Sequence, residues 1–339
     1  MTIWQVAGGD GSHDYTDVFL KYGVFLVGPG SEGDYFSNKK AYNDTNESSS
    51  RPFIRVHAEE ILKNDILALK RPAGPNWEII AVGQVSSDYT HESTFSDVDG
   101  WDLQHCRKVQ WKKPEEIVVI SGLRRGTICR INQQEVLDRI QEIWNSGILC
   151  QAEEIPKPAA PVEVDELIDS LMNEGLLSVS AEIIAATIWR LRRIAKWYSS
   201  HGSDVGEHEI RTFLIVPLMT SLGWAEQKIK IEWNKIDVAM FDRPYCKTSI
   251  PSILIESKRL HCGMRYAPKQ AEVYAIKYPG CSKFIVSDGI RYKLYAKKCN
   301  KWVFDSYMNL LAPTATHPHD VSVGGAVKFF LSVISRGSV

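Results

Sequence analysis

The first third of the chain alternates short apolar runs with polar breaks carrying glycine and proline: TIWQVA, GVFLVGPG, NDILALKRP, WEIIAVGQVSS and CRKVQWKK. Runs of this length and spacing predict strands, and several in succession predict a small closed or nearly closed β-barrel. The period then changes. QQEVLDRIQEIW (133–144) sets Val136, Ile140, Ile143 and Trp144 on one side at helical spacing, predicting an amphipathic helix against the barrel. EEIPKPAAPVEVDE follows with three prolines and an excess of acids, the composition of an extended linker. DELIDSLMNEGLLS predicts a short helix and AEIIAATIWRLRRIAKWYSS a longer one. In EIRTFLIVPLMTSLGW, Phe213, Leu218 and Leu222 favour burial and Pro217 kinks or interrupts the helix. Ile236 to Phe241 and Ser252 to Arg259 read as strands of a hairpin joined by the turn-rich 242–251. After them come a helix in KQAEVYAIKY, a strand–turn–strand in FIVSDGIRYKLY and an apolar helical end, Val327 to Ile334.

This layout predicts an α+β protein of two domains: a β-barrel over 1–146 and a mixed-sheet α/β domain over 181–311. A linker with a short helix (147–180) joins them, and a tail helix (312–339) packs on the second domain or on a second copy of the chain. A length of 339 residues allows each domain its own core. The net charge of −1 is uninformative, but its distribution is not: residues 181–311 hold 21 Lys/Arg against 12 Asp/Glu, and 151–174 hold seven acids and one lysine. A basic half beside an acidic connector suits a phosphate-binding domain with a solvated linker. Seven cysteines, at 106, 129, 150, 246, 262, 281 and 299, show no CxxC spacing. Together with a start that lacks a secretory layout and the lack of a membrane-length apolar run, they predict a reduced, cytoplasmic chain. A zinc site from His261-Cys262 with Cys246 and Cys281 has neither the spacing nor the context of one.

The candidate chemistry lies in the hairpin. Side chains alternate along a strand, so Glu256 and Lys258 point the same way, and folding back the hairpin brings Asp237 beside Glu256. Charges at the end of an otherwise apolar strand are costly to bury unless paired. Two carboxylates with open water positions suit Mg²⁺ (or Mn²⁺), and the lysine can orient or deprotonate an attacking water.

Asp237 followed by Glu256-x-Lys258 resembles the PD-(D/E)xK nuclease superfamily, and most closely the N-terminal nuclease domain of type I restriction endonuclease R subunits. The resemblance covers roughly 205–297, including FLIVPLMTSLGW, SILIESKR, KQAEVYAIKY and FIVSDGIRYKLY. The family's first acid often follows a proline, whereas Lys235-Ile236 precede Asp237 here. The resemblance implies a metal at Asp237 and Glu256, catalysis by these with Lys258, an acid from the preceding helix (Glu209, with Glu207 competing), and support from Gln270, which shares a helix face with Tyr274. Arg190, Arg192, Arg193 and Lys196 are candidate phosphate contacts or a solvated face. In the first half, the order W-x-V, GVFLVGPG, NDILALKRP, IIAVGQV and DVDGWDLQHCRKVQW, continuing to RRGTICRI, resembles an EVE-type domain of the PUA superfamily, which implies a reader holding a modified, flipped-out base. Such a pocket needs an aromatic wall and polar groups at the base edge. Trp101 with Asp99, and Tyr35, are candidates; Trp4, Trp77 and Trp111 lie in strand runs and read as core or barrel-rim residues.

GPGSEG (28–33) matches GxGxxG formally, but Pro29 lies inside it and no helical period or second βα unit follows. Ser12-His13-Asp14 is no triad, because adjacent residues cannot present nucleophile, base and orienter in line. GxxxxGK[ST] does not occur. The expected function is a Mg²⁺-dependent endonuclease in prokaryotic anti-phage defence, restricting modified double-stranded DNA that the barrel reads. Rival readings are a non-catalytic binder of modified nucleic acid, and a nuclease whose barrel recognises RNA or a protein.

Overall fold

A computed structural model describes residues 1–9, 13–44, 51–201, 205–260, 264 and 267–335, and divides into two compact units, Met1–Pro158 and Ala159–Val339. Both mix helices and strands, so the chain is α+β.

In the first unit the strands are β1 (Ile3–Ala7), β2 (Val24–Val27), β3 (Ile66–Ala73), β4 (Asn76–Val85), β5 (Thr90–His91), β6 (His105–Lys113), β7 (Val118–Ile120), β8 (Ile128–Arg130) and β9 (Ile148–Leu149). They form one sheet along the path β2-β6-β4-β3-β1-β8, with β5 and β9 on β6 and β7 on β4. No ladder joins β2 to β8 among the described residues, which form a half-barrel sheet where a closed or nearly closed barrel was expected. The chain spends the intervening residues on helices instead: α1 (Thr16–Tyr22), α2 (Lys39–Asn43), α3 (Pro52–Arg55) and a π-turn over Val56–Glu60. β3 is apolar on both faces, as a strand buried on two sides must be. Ile66 and Ala68 meet Val136, Ile140 and Ile143 of α4 (Gln134–Ser146), while Leu67 and Leu69 join the larger core with Trp4, Phe25 and Trp111. Trp4 and Trp111 are core residues, and Trp77 is half-buried.

The expected linker is not free. Cys150 N–H donates to Trp111 O (2.9 Å), Glu153 N–H to Lys21 O (2.7 Å) and Thr94 Oγ1 to Pro156 O (2.9 Å), so residues 150–156 are strapped onto the first unit. Beyond Pro158 the chain belongs to the second unit: Ala315 N–H donates to Ala160 O and Val162 N–H to Pro313 O. A fragment 1–158 is therefore expected to melt roughly 4–8 °C above a fragment 1–146, the strap contributing about 2 kcal/mol through these bonds and the β6–β9 pairing. Equal melting temperatures in a calorimetric comparison would remove the strap from the fold.

The second unit contains α5 (Val164–Asn173), α6 (Ser178–His201), α7 (Glu207–Ile210), α8 (Val216–Ser221), α9 (Ala267–Lys277) and α10 (Ala326–Val333). Its strands are β10 (Ile229–Trp233), β11 (Ile236–Met240), β12 (Ile253–Ser257), β13 (Lys283–Ser287), β14 (Arg291–Lys298), β15 (Lys301–Asn309), β16 (Thr316–His317) and β17 (Asp320–Gly324), in the order β10-β11-β12-β13-β14-β15-β17-β16. β11 and β12 are antiparallel, β12 and β13 parallel, and α9 is the crossover between the last two. α5 opens on a reciprocal Glu163–Glu166 capping box. It packs with α6 and α10 in a core that includes Leu167, Ile188 and Phe329, so 159–180 and the C-terminal tail are parts of this unit and not appendages. No helix among the described residues is long and apolar enough to cross a membrane.

Candidate active site

Between α7 and α8 the helix widens into a π-turn, Arg211–Ile215, closed by Val216 N–H reaching back to Arg211 O. It lies directly before Pro217, which has no N–H to give a regular helix, and single π-turns recur at functional sites. Arg211 falls on the buried stripe of Leu214, Ile215 and Leu218 and is only 4% exposed.

That arginine meets the hairpin. The register Val238↔Ile255 sets Asp237 and Glu256 side by side at the end of the β11–β12 pair. Asp237 Oδ2 accepts Ser257 N–H (2.7 Å) and Ser257 Oγ–H (2.9 Å), and its Oδ1 accepts Arg211 Nη2 (2.7 Å). Lys258, tied to β13 through its N–H and Ser287 O, places Nζ 2.7 Å from Glu256 Oε1. Glu256 is 4% exposed. Burial pushes its carboxyl up, the charges of Asp237 and Glu207 push the same way, and the bond from Lys258 opposes them. Burial works against the Lys258 ammonium, but the hydrogen bond and charge of Glu256, with Glu207 and Asp237, outweigh it and raise its pKa. Lys258 is thus held as a cation that donates, which supports orienting a water over deprotonating it.

Of the two acids at the start of α7, it is Glu207 whose charge reaches Glu256 and Lys258. Glu209, preferred from the sequence, lies over Gly206 and acts on Tyr198, so it is turned to another neighbour. Gln270 is exposed on α9 and donates to Tyr274 Oη (3.4 Å); no hydrogen bond joins it to Glu256 or Lys258 among the described residues. Arg211, Ser257 and Glu232 were not read from the sequence. A cation on the apolar stripe of an amphipathic helix was the available signal for Arg211.

The donor set fits a hard divalent ion. Mg²⁺ is held by one or two carboxylates, with waters and substrate phosphate completing its shell. Asp237 and Glu256 supply those, and the mutual repulsion of Asp237, Glu256 and Glu207 is what a cation relieves. No cluster of three metal-ligating side chains exists among the described residues, so an all-protein cage is not present there. His261 and Cys262 lie outside the described residues; Cys281 is buried and bonds Lys283 O.

In the first unit, Trp101 lines a cavity of about 260 Å³ with Tyr15, Phe19, Leu26, Phe53 and the exposed Arg51. A dry cavity of roughly 150 Å³ already admits benzene, so there is room for a base. Trp101 is 39% exposed, and its indole N–H donates to His13 Nε2 (2.7 Å), leaving the ring fixed with an open surface. The other two candidates are used elsewhere. Asp99 (φ 51°) and Gly100 (φ 96°) are the central residues of a tight turn closed by Val98 and Trp101, with both φ values positive as a type I′ turn requires. Asp99 does not line the cavity. Tyr35 is fully buried against Phe36 and Tyr42, with its hydroxyl accepting from Asn43, and presents no face for stacking. Gly28 also lines the cavity and touches the Asp102 carbonyl so closely that any Cβ would collide with it. A larger depression of about 1080 Å³ runs along the strap beside Trp111, with Lys108, Glu92 and Glu153 in its walls, and gathers no comparable chemistry.

If the first unit reads a modified base, Trp101→Ala should leave the melting temperature nearly unchanged and weaken binding of modified DNA by ~1–3 kcal/mol, the usual loss of a base-stacking aromatic. Earlier unfolding with normal binding by the folded fraction, measured by calorimetry and fluorescence anisotropy, would make Trp101 a packing residue.

Residues 4–132 match a family described as a domain of unknown function (DUF8426). No curated protein matches the chain.

Proposed function

We propose that the chain is a divalent-metal-dependent DNA endonuclease of the PD-(D/E)xK type whose first unit is a PUA-like reader of a modified base. The observation that carries this is the convergence of Asp237, Glu256 and Lys258 at the ends of β11 and β12, beside the π-turn that carries Arg211. The strand order of the second unit, an antiparallel hairpin followed by a parallel β12–α9–β13 crossover, supports the nuclease reading. The cavity at Trp101 supports the reader.

A bound Mg²⁺ or Mn²⁺ supplies charge neutralisation at the phosphate and a water of lowered pKa. Asp237 and Glu256 would hold it. Ser257 fixes the Asp237 carboxylate from the backbone and the hydroxyl at once, so that ligand is positioned before substrate arrives. Lys258 keeps its proton at Nζ and orients water or phosphate oxygen from the Glu256 side. In the first unit Trp101 offers a ring face to an extruded base. The role proposed for the whole chain is restriction of modified double-stranded DNA in anti-phage defence. The test is incubation with Mg²⁺ and matched modified and unmodified phage DNAs; selective cutting of the modified DNA supports both halves of the proposal, and equal cutting removes the reader.

One observation favours a second reading, a modified-DNA binder built on a nuclease-like scaffold: both oxygens of Asp237 are already engaged, by Ser257 and Arg211. Tight, selective binding with no cleavage under any divalent metal would establish it.

A further inference from the structure

The two oxygens of Asp237 are held by different kinds of partner. Oδ2 is bonded to the Ser257 backbone and hydroxyl, which cannot leave without breaking the strand end. Oδ1 is bonded only to a side chain, Arg211 Nη2 at 2.7 Å, among the hydrogen bonds of the described residues. Arg211 makes other bonds as well: Nη1 donates to Glu232 Oε1 (3.0 Å), and Nε and Nη2 lie 3.4 Å from Ser257 Oγ.

Glu232 is placed for this. The pairs Ile231↔Val238 and Trp233↔Ile236 flank it, so it stands across β10–β11 from Asp237. Its φ of 54° belongs to the tight β10–β11 turn, where Asn234 and Lys235 are also left-handed, and this turn geometry sets its carboxylate toward Arg211. The result is an exposed carboxylate at the far end of a buried guanidinium, with His208 Nδ1 at 3.4 Å. A buried guanidinium has five N–H groups to satisfy, and Glu232 is an anionic partner that stays when the bond to Asp237 Oδ1 opens.

We propose that Arg211 is a positioning residue and resident counter-cation: it holds Asp237 in place until a divalent cation takes Oδ1, and keeps its bond to Glu232 while it yields that oxygen. This rests on reading Asp237 and Glu256 as the divalent-cation site. Its consequence is that Arg211 and the metal compete for one carboxylate oxygen, so the site binds metal more weakly than its acids alone would, and Glu232 eases the exchange.

Mn²⁺ affinity of the full chain, measured by calorimetry without DNA, tests this. Asp237→Asn is expected to abolish the site. Arg211→Gln should bind Mn²⁺ about tenfold more tightly, since a unit positive charge beside the ion is gone. Arg211→Lys, which restores the charge, should return toward wild type. Glu232→Gln, an exposed change that does not threaten folding, should weaken Mn²⁺ binding by roughly threefold, because Arg211 is left with Asp237 as its remaining anionic partner. Weaker or unchanged binding in Arg211→Gln, with Asp237→Asn still abolishing it, overturns the role of Arg211 alone. If Arg211→Gln does not fold, unchanged affinity in Glu232→Gln overturns it. Mn²⁺ binding that ignores Asp237→Asn removes the cation site itself, and this proposal with it.

Discussion

Asp237→Asn is expected to bind DNA as wild type does and to lose Mg²⁺-dependent cleavage by about 10²-fold or more, because it removes a charged hard-oxygen ligand where metal assistance contributes several kcal/mol. Asparagine is the informative substitution. It keeps an oxygen for the Ser257 N–H and hydroxyl, which alanine would leave without their acceptor, and Arg211 retains Glu232 as its anionic partner in either variant. Lys258→Gln, which removes the ammonium but keeps a donor for the buried Glu256 carboxylate, should be comparably inactive. Initial rates on supercoiled DNA, with binding followed by anisotropy, check both. Wild-type cleavage by Asp237→Asn would sink the assignment.

The second large effect concerns pH and the first unit. His105 is fully buried; its Nε2 lies 2.9 Å from Pro29 O and its Nδ1 2.7 Å from Tyr89 Oη, which also receives Tyr35 N–H. A carbonyl only accepts, so Nε2 carries the proton and Nδ1 accepts from Tyr89 in the neutral ring. Burial drives the His105 pKa from 6.5 down to about 4, and burial likewise drives fully enclosed His57 well below its usual value. Because the folded values are depressed, the unfolded chain binds the extra proton first. The stabilisation is complete above pH 6.5 and is lost as pH falls toward 4, amounting to about 3 kcal/mol for His105, with His57 adding in the same direction. Urea unfolding at pH 8 and 4.5 should show the loss, and an NMR titration of the His105 ring should have its midpoint near 4. A midpoint near 6.5 would contradict the buried neutral ring.

What the sequence disclosed and what it hid divide along physical lines. Strands whose burial shows as apolar runs, β1 to β4 and β6, lie where their patterns put them, and the hairpin turned Asp237 toward Glu256 because a period of two fixes facing. Local patterns report local geometry. They did not report α1, since TDVFLKY has too few residues for its helical period to stand out. Nor did they report that the proline-rich segment is strapped down, because its anchors, Trp111 O, Lys21 O and Thr94, are far away in sequence. At the site the pattern found the strand residues. At α7 the pattern preferred Glu209, which lies by Gly206 and Tyr198, while the charge of Glu207 acts on Glu256 and Lys258; two residues apart on one helix, they point in different directions. Tyr35 and Asp99 were judged by residue type, yet one is packed among aromatics and the other spends its backbone on a turn. Glu232 carries no sequence signal, for nothing in EWNK announces a left-handed glutamate.

The most direct test is conversion of supercoiled DNA to nicked and linear forms by the full chain with Mg²⁺, run beside the same reaction in EDTA and beside Glu256→Gln. The account predicts conversion by wild type with Mg²⁺ and none in the other two, with DNA binding retained by the variant. Cleavage that persists in EDTA or in Glu256→Gln, or DNA that wild type binds and never cuts with Mg²⁺ or Mn²⁺, would contradict it.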